Sequence, residues 1–552
     1  MIKLLLPPRF YTFALSVTAF FIFLAFAPER PWLWPITAIG GGLSLLGFCD
    51  LFQRKQSIRR NYPILGHLRF FLEYLRPEIR QYFLEEDAQE TPFSRNQRSI
   101  VYQRAKDVVD KRAFGTLQNV YAAGHEWINH TIVPSKLENS DFRVRIGESW
   151  HEPYELSVFN ISAMSFGALS ANAIRALNKG AKLGGFAHDT GEGSISSHHR
   201  EFGGDLIWEI GSGYFGCRTA DGFFDPVRFV EQALDPQVKM IEIKLSQGAK
   251  PGHGGLLPGA KVTPEIAEAR GVEVGTDCIS PAYHSAFATP IELLNFVQTL
   301  RNLSGGKPTG FKLCVGHPWE FMAIARAMSE TGILPDFVVV DGAEGGSGAA
   351  PVEFSDHVGT PLREGLLLVH NTLIGLNLRD RVKIGASGKI VTAFDIARTM
   401  ALGADWCNAA RGFMFALGCI QAQACHTGKC PTGVATQDVL RQRALVVPDK
   451  AERVANFHRN TLAALAELIS AAGLSHPNQL GPEHLIRRIS GTEIRSAAQQ
   501  YEFLNPGDLL RGTPKMEVFA RYWSQVSSGS FALMSSRDVG RIPALVKESA
   551  MI

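Results

Sequence analysis

The sequence lacks a charge imbalance: 56 Lys and Arg against 53 Asp and Glu leave +3 over 552 residues, so nothing points to nucleic acid as a partner. It has no low-complexity segment and no internal repeat of fixed period, which excludes repeat architectures. No Gly-x-Gly-x-x-Gly turn follows the first strand-like run near residue 160, where a doubly wound dinucleotide fold would place it. No small-x-small cleavage site follows the first apolar run, which disfavours a signal peptide even though Lys3 and Arg9 could be its charged start. Cysteine is scarce, 8 in all, yet three stand within twelve residues of one another.

What is present begins with two apolar runs. Phe10 to Ala27 and Trp32 to Cys49 are each 18 residues long and uncharged. As helices they reach roughly 27 Å each, close to the hydrocarbon thickness of a bilayer. Pro28-Glu29-Arg30-Pro31 forms a tight turn between them, and Trp32 and Trp34 sit where interfacial aromatics belong. Lys3 and Arg9 precede the first run, and Arg54, Lys55, Arg59 and Arg60 follow the second. The positive-inside rule then puts both ends on the cytoplasmic side. Residues 1–52 are thus expected to be a transmembrane hairpin in the inner membrane, an anchor without the internal charges a transport path needs. Residues 53–150 read as a mixed juxtamembrane region, with segments such as 64–84 forming helices between membrane and core.

From about residue 151 short apolar runs alternate with amphipathic stretches. Expected strands are 156–163, 185–188, 239–245, one near Cys278, 310–315, 337–340, 382–384 and 406–409. Expected helices include 171–183, 263–270, 291–301, 319–331 and 393–402. Eight strands alternating with helices over 151–440 is the count and size of a (β/α)8 TIM barrel, an α/β fold. Residues 441–552 read as a helical extension, with 451–472 its best helix.

Such barrels carry their chemistry at the carboxyl ends of the strands. Glycine-bearing loops fall there: 164–168, 189–193, 247–250, 345–348 and 385–388. Loops after the seventh and eighth strands form the usual phosphate site of this fold. Gly385, Ser387, Gly388, Arg411 and Gly412 are expected to hold a terminal phosphate, with Gly345 and Gly346 on the same face. The singly phosphorylated cofactor that suits the barrel is FMN.

Cys419, Cys425 and Cys430 follow a C-x5-C-x4-C spacing that ends in Cys-Pro. Thiolates suit iron, and bacterial iron–sulfur proteins often place Pro after a ligand Cys. Three ligands fit a three-iron cluster, while three unrelated buried thiols are the plain alternative. The whole run, through Cys-Pro-Thr-Gly-Val-Ala-Thr-Gln, closely resembles the cluster segment of the glutamate synthases. Residues 155–440 resemble their FMN-binding synthase domain, in Ala-Met-Ser-Phe-Gly-Ala-Leu-Ser (163–170), Thr-Gly-Glu-Gly (190–193), Ser-Gly-Tyr-Phe-Gly (212–216) and the Gln-Gly-Ala-Lys-Pro-Gly run from 247.

The resemblance implies a 3Fe–4S cluster on the three cysteines. It implies that Met164, Ser165 and Ser212 line the flavin and that Lys312 lies at its N1/O2 edge. Gln247, Lys250, Arg270 and Glu192 match residues that hold 2-oxoglutarate or its imine. His253 and Leu256 stand where Glu and Gln are usual, and Tyr214 replaces an Arg. No glutamine amidotransferase segment is found, so ammonia is expected from solution or a partner. Ferredoxin or another redox protein is the expected electron donor. Amine oxidation feeding membrane carriers, or a relay subunit without chemistry, are the alternatives.

Overall fold

The computed structural model describes residues 7–87, 91–147, 152–512 and 514–534; Lys3 and the end of the C-terminal extension lie outside them. The chain divides into two compact units, Met1–Thr91 and Pro92–Ile552. The division falls inside the expected 53–150 region, so the helices of 57–84 belong to the first unit and the residues from 92 to the second.

In the first unit, helices Tyr11–Phe26 and Trp34–Phe52 pack against each other through a Pro31–Leu33 turn. Small residues allow the approach: a Cβ on Gly40 would stand 3.3 Å from the Phe20 backbone. Pro8–Phe26 and Pro31–Phe52 have mean hydropathies of 1.7 and 1.4 and are long enough to cross a bilayer. The second helix runs three residues past the expected end and so includes Asp50, whose buried carboxylate accepts from the Ile64 amide at 3.0 Å and meets His67 Nε2 at 2.8 Å.

The second unit is built on a closed barrel of eight parallel strands: β1 Phe159–Ile161, β2 His188–Asp189, β3 Leu206–Ile210, β4 Val238–Lys244, β5 Thr309–Leu313, β6 Phe337–Asp341, β7 Lys383–Ser387 and β8 Trp406–Ala409. Closure is by β8 on β1, with Asn408 opposite Asn160. The strands are apolar and almost wholly buried, as a parallel sheet covered by helices requires. The expected barrel helices form within one or two residues of their predicted ends, for example Ala171–Gly184, capped by the Ser170 hydroxyl, and Pro318–Thr331.

One strand assignment is wrong in an instructive way. The strand near Cys278 exists (Cys278–Ser280), but it pairs antiparallel with Gly255–Leu257 as a hairpin outside the barrel. The strand that completes the barrel is instead Leu206–Ile210 (β3), which the sequence reading passed over, so the loop at 247–250 follows the fourth strand and not the third. Beyond residue 440, the helix Val447–Ala471 packs on Ala171–Gly184, and a Cβ on Gly180 would stand 2.6 Å from that of Val454. The extension is not purely helical: Leu485–Arg488 and Ile494–Ser496 form a small antiparallel sheet with Glu126–Ile128.

Candidate active site

The loops at the carboxyl ends of the strands rest on one another through glycine. Gly191, after β2, has a φ of +65°, and a Cβ there would stand 2.7 Å from the Ser165 amide in the loop after β1. Gly193 lies equally close to the Ser165 side chain. Met164 and Ser165 are thereby pinned beneath Thr190–Gly193. Asp341, the last residue of β6, ties three loops together: one oxygen accepts from the Gly248 amide at 2.7 Å and the other from Ser387 Oγ at 2.5 Å.

Inside the barrel Lys312 (β5) is buried among three acids. Its ammonium bonds Glu209 of β3, meets Glu242 of β4 at 3.1 Å and lies 3.9 Å from Asp189 of β2. Burial alone would favour the neutral amine, but the carboxylates of Glu209, Glu242 and Asp189 override it and hold Lys312 well above its ordinary range. Burial and mutual repulsion push Glu242 up to about 7 and Asp189 well above the usual carboxylate range, with Lys312 opposing. Lys312 thus has three acidic partners, and Glu209 sits on the overlooked strand.

A narrow cleft opens beside this cluster, lined by Glu192, Ser212, Lys244, Gln247, Lys250 and His253 among others. Glu192 pairs with Lys244 at 3.0 Å. Burial would raise its carboxyl, but the Lys244, Lys250 and Arg270 charges hold it below the usual range, so it is ionised at neutral pH. Burial pulls half-buried Lys250 below its ordinary 10.5, with Glu192 opposing. Ser212 Oγ donates to the Pro281 carbonyl at 2.5 Å. Lys244, the last residue of β4, was not foreseen; its signal was a charge at the carboxyl end of a strand, where the chemistry of a barrel lies.

Arg270 ends the helix Pro264–Arg270 and is buried. Its guanidinium donates to the Phe166 carbonyl at 3.2 Å and lies 5.1 Å from the Phe215 ring centre. It has no carboxylate partner among the described residues, and its Nε has no hydrogen bond. A buried guanidinium with no carboxylate in direct contact, only the more distant Glu192 charge, can take an anion. Tyr214, standing where Arg is usual, is buried, with its hydroxyl accepting from the Ala286 amide at 3.1 Å. His253 lines the cleft, whereas Leu256 faces solvent.

Arg411, after β8, donates to the Ser347 carbonyl at 2.7 Å and so joins the loop after β6 to that after β8. A Cβ on Gly346 would stand 2.7 Å from Arg411 Nε, so that glycine leaves the guanidinium face open. Gly345 lies against Gly342 and Gly248, and Gly412 against Phe457. Gly388 has a φ of +151° just beyond β7. Gly385 does not belong to the loop: it is inside β7, where a Cβ would collide with the Trp406 indole at 2.5 Å. Its lack of a side chain serves packing.

Cys419, Cys425 and Cys430 follow the short helix Arg411–Leu417 as free thiols. Burial pushes Cys419 up to about 11, Gln421's amide opposing and Cys425 and Cys430 adding to it. Cys430 behaves oppositely: burial would raise it, but the Ala435, Thr432 and Val434 amides and the Thr432 hydroxyl hold it low. The segment is tied to the barrel. Gln437 donates to the Gly167 and Leu169 carbonyls at 3.0 and 3.1 Å, Ser170 Oγ to Gly433 at 2.7 Å, and Lys261 Nζ to His426 at 2.9 Å.

The conserved region in glutamate synthase, as a family model, matches residues 114–475, more than half of the chain. The glutamate synthase large subunit-like protein YerD of Bacillus subtilis is 38% identical over 481 residues, covering 80% of this chain and 91% of that protein. The chain belongs to the glutamate synthase family. Archaeal-type glutamate synthase (NADPH) of Thermotoga neapolitana is 35% identical over 57% of this chain and 59% of its own length. Archaeal glutamate synthase (NADPH) of Methanocaldococcus jannaschii is 37% identical over 63% of this chain and 65% of its own. The chain therefore spans about three fifths of those two relatives. Among solved structures, a flavocytochrome b2 variant with pyruvate bound aligns over 75% of this chain and 85% of its own, at 13% identity and a TM-score of 0.40; the barrel itself is established by the strand pairing. As a glutamate synthase-family member the chain is an oxidoreductase.

Proposed function

We propose that this glutamate synthase-family protein forms glutamate reductively from 2-oxoglutarate and ammonia, through 2-iminoglutarate, using FMN and a 3Fe–4S cluster. The observation that carries the reading is the cleft that sets Gln247, Lys250 and the Glu192–Lys244 pair together, with buried Arg270 close enough for its charge to act on the same Glu192 carboxylate without forming an ion pair. Condensation of the 2-oxo group with ammonia releases water, and a hydride plus a proton then convert the imine carbon to the amine.

The residues present fit both cofactors. For FMN, Arg411 without a carboxylate partner among the described residues, the open Gly346 and the amides near Gly388 and Gly412 fit a phosphate. Met164, Ser165 and Ser212 would line the ring, and Lys312, kept charged by its acids, would offset negative charge at the N1/O2 edge. For the cluster, three free thiols within one twelve-residue segment, with amides converging on Cys430, offer the sulfur ligands such a cluster takes. When bound, the cluster would relay electrons from a ferredoxin-like donor and FMN would supply the hydride.

The chain's own part is placement. Arg270 and Lys250 would anchor the two carboxylates, and ionised Glu192 and Gln247 would hydrogen-bond the imine nitrogen. Residues 8–52 would hold the enzyme to the cytoplasmic face of a membrane as a two-helix hairpin. Cofactor content tests this first. Anaerobically purified protein should hold about one FMN and a cluster visible by EPR in the oxidised state; flavin without iron would remove the cluster from the account.

A further inference from the structure

The helix Leu65–Ile79 in the first unit has no role in the chemistry, yet its surface is unusual. Leu65, Leu68, Leu72, Leu75 and Ile79 recur every three or four residues, and Phe71 lies beside them, so they share one face about 120° wide. Five of the six (Leu75 apart) are 38–55% exposed, and Phe83, just past the helix, is 81% exposed. A soluble helix would turn this stripe to a core. Here Phe70, on the other side, packs under Arg59 at 4.8 Å from the guanidinium carbon, and the stripe is left open.

The start of the helix is fixed at the ends of the two apolar helices. Buried Asp50 accepts from the Ile64 amide and meets His67, while Thr12 Oγ1 donates to the Pro63 carbonyl at 3.4 Å. An apolar groove between the helices, lined by Leu15, Phe23, Ile36, Ile39, Leu43 and Ile64, continues to that start. Charge supplies the rest. Residues 53–84 hold Arg54, Lys55, Arg59, Arg60, Arg69, Arg76 and Arg80 against Glu73 and Glu78. Arg69 and Arg76 border the stripe, where long side chains reach headgroups while their stems stay apolar.

We propose that Leu65–Ile79 is an interfacial helix that lies on the bilayer surface, its stripe in the acyl boundary and its arginines on anionic headgroups. The proposal rests on the hairpin spanning the membrane. It gives the anchor a third contact that follows lipid composition.

Full-length protein in phosphatidylcholine vesicles, with or without phosphatidylglycerol, tests it. The photoreactive residue p-benzoylphenylalanine is placed at Leu72, at Glu73 or at Phe21 of the hairpin, and adducts are read by mass spectrometry. Phospholipid adducts at positions 21 and 72 but not 73 are expected. Arg69→Glu should lower the yield at 72 about five-fold on anionic vesicles only. Adducts at 21 together with protein cross-links at 72, to the same chain or a second copy, overturn the interfacial helix while leaving the hairpin. No adduct at 21 overturns the hairpin reading and this one with it. Equal yields on neutral and anionic vesicles overturn the headgroup contact.

Discussion

Arg270 and Lys312 are both buried cations, and their surroundings give them opposite roles. Lys312 is neutralised by acids from three neighbouring strands, so removing it strands buried carboxylates. Lys312→Ala should therefore destabilise the fold by about 3–5 kcal/mol, read as a lowered denaturation midpoint. Arg270 has only carbonyl, sulfur and ring contacts, so it is open to an anion. Arg270→Lys keeps the charge and loses the fork; with about 1.5–3 kcal/mol for a hydrogen bond to a charged group, 2-oxoglutarate affinity should drop about 10- to 150-fold. Unchanged affinity in a substrate titration would mean the anion site lies elsewhere. Lys250 adds a pH signature. Its ammonium is destabilised by burial, so carboxylate affinity should begin to fall with rising pH below the lysine's ordinary 10.5. Lys250→Arg should flatten that profile; a profile that persists assigns it to another group. At this scale the sequence showed the cleft residues through their motif, but not Asp189, Glu209, Glu242 or Lys244. Their meaning appears only when strands distant in sequence, as far apart as those of Asp189 and Lys312, are brought together.

At the scale of elements, the barrel was legible because its period is strong, yet the right strand count came from two errors that cancelled. Leu206–Ile210 is short and follows a loop dense in glycine, so the run looked like part of that loop. Cys278–Ser280 has strand residues, but its partner is the neighbouring hairpin arm, a choice that local pattern does not encode. Gly385 shows the same limit: a glycine near Ser387-Gly388 read as loop, while the need for it is the Trp406 indole on the neighbouring strand β8. The cysteine segment stood out in sequence, but its attachment did not. Gln437, Ser170 and Lys261 fasten it to loops that bear site residues. Because those bonds do not involve the thiols, Cys425→Ser should abolish the cluster's EPR signal and leave FMN binding intact. Loss of flavin together with iron would show that the cluster, and not these bonds, holds the segment in place.

At the scale of the whole molecule the chain is two units, and the boundary at Thr91 was not visible in composition because charge and aromatics continue across it. The apolar hairpin was visible, since two uncharged runs need no tertiary context to be recognised. Removing residues 1–91 should leave a soluble protein that still binds flavin, as checked by fractionation and absorbance. A product that stays with the membrane would place an anchor in the barrel unit. The central claim is that the cleft delivers a 2-imino dicarboxylate to the reduced cofactor. Stopped-flow mixing of the anaerobic, flavin-reduced protein with 2-oxoglutarate and ammonia tests it most directly. The account predicts flavin reoxidation and glutamate formed in equal amounts, with neither compound sufficient alone; flavin that stays reduced with both present, at saturating concentrations, would contradict it.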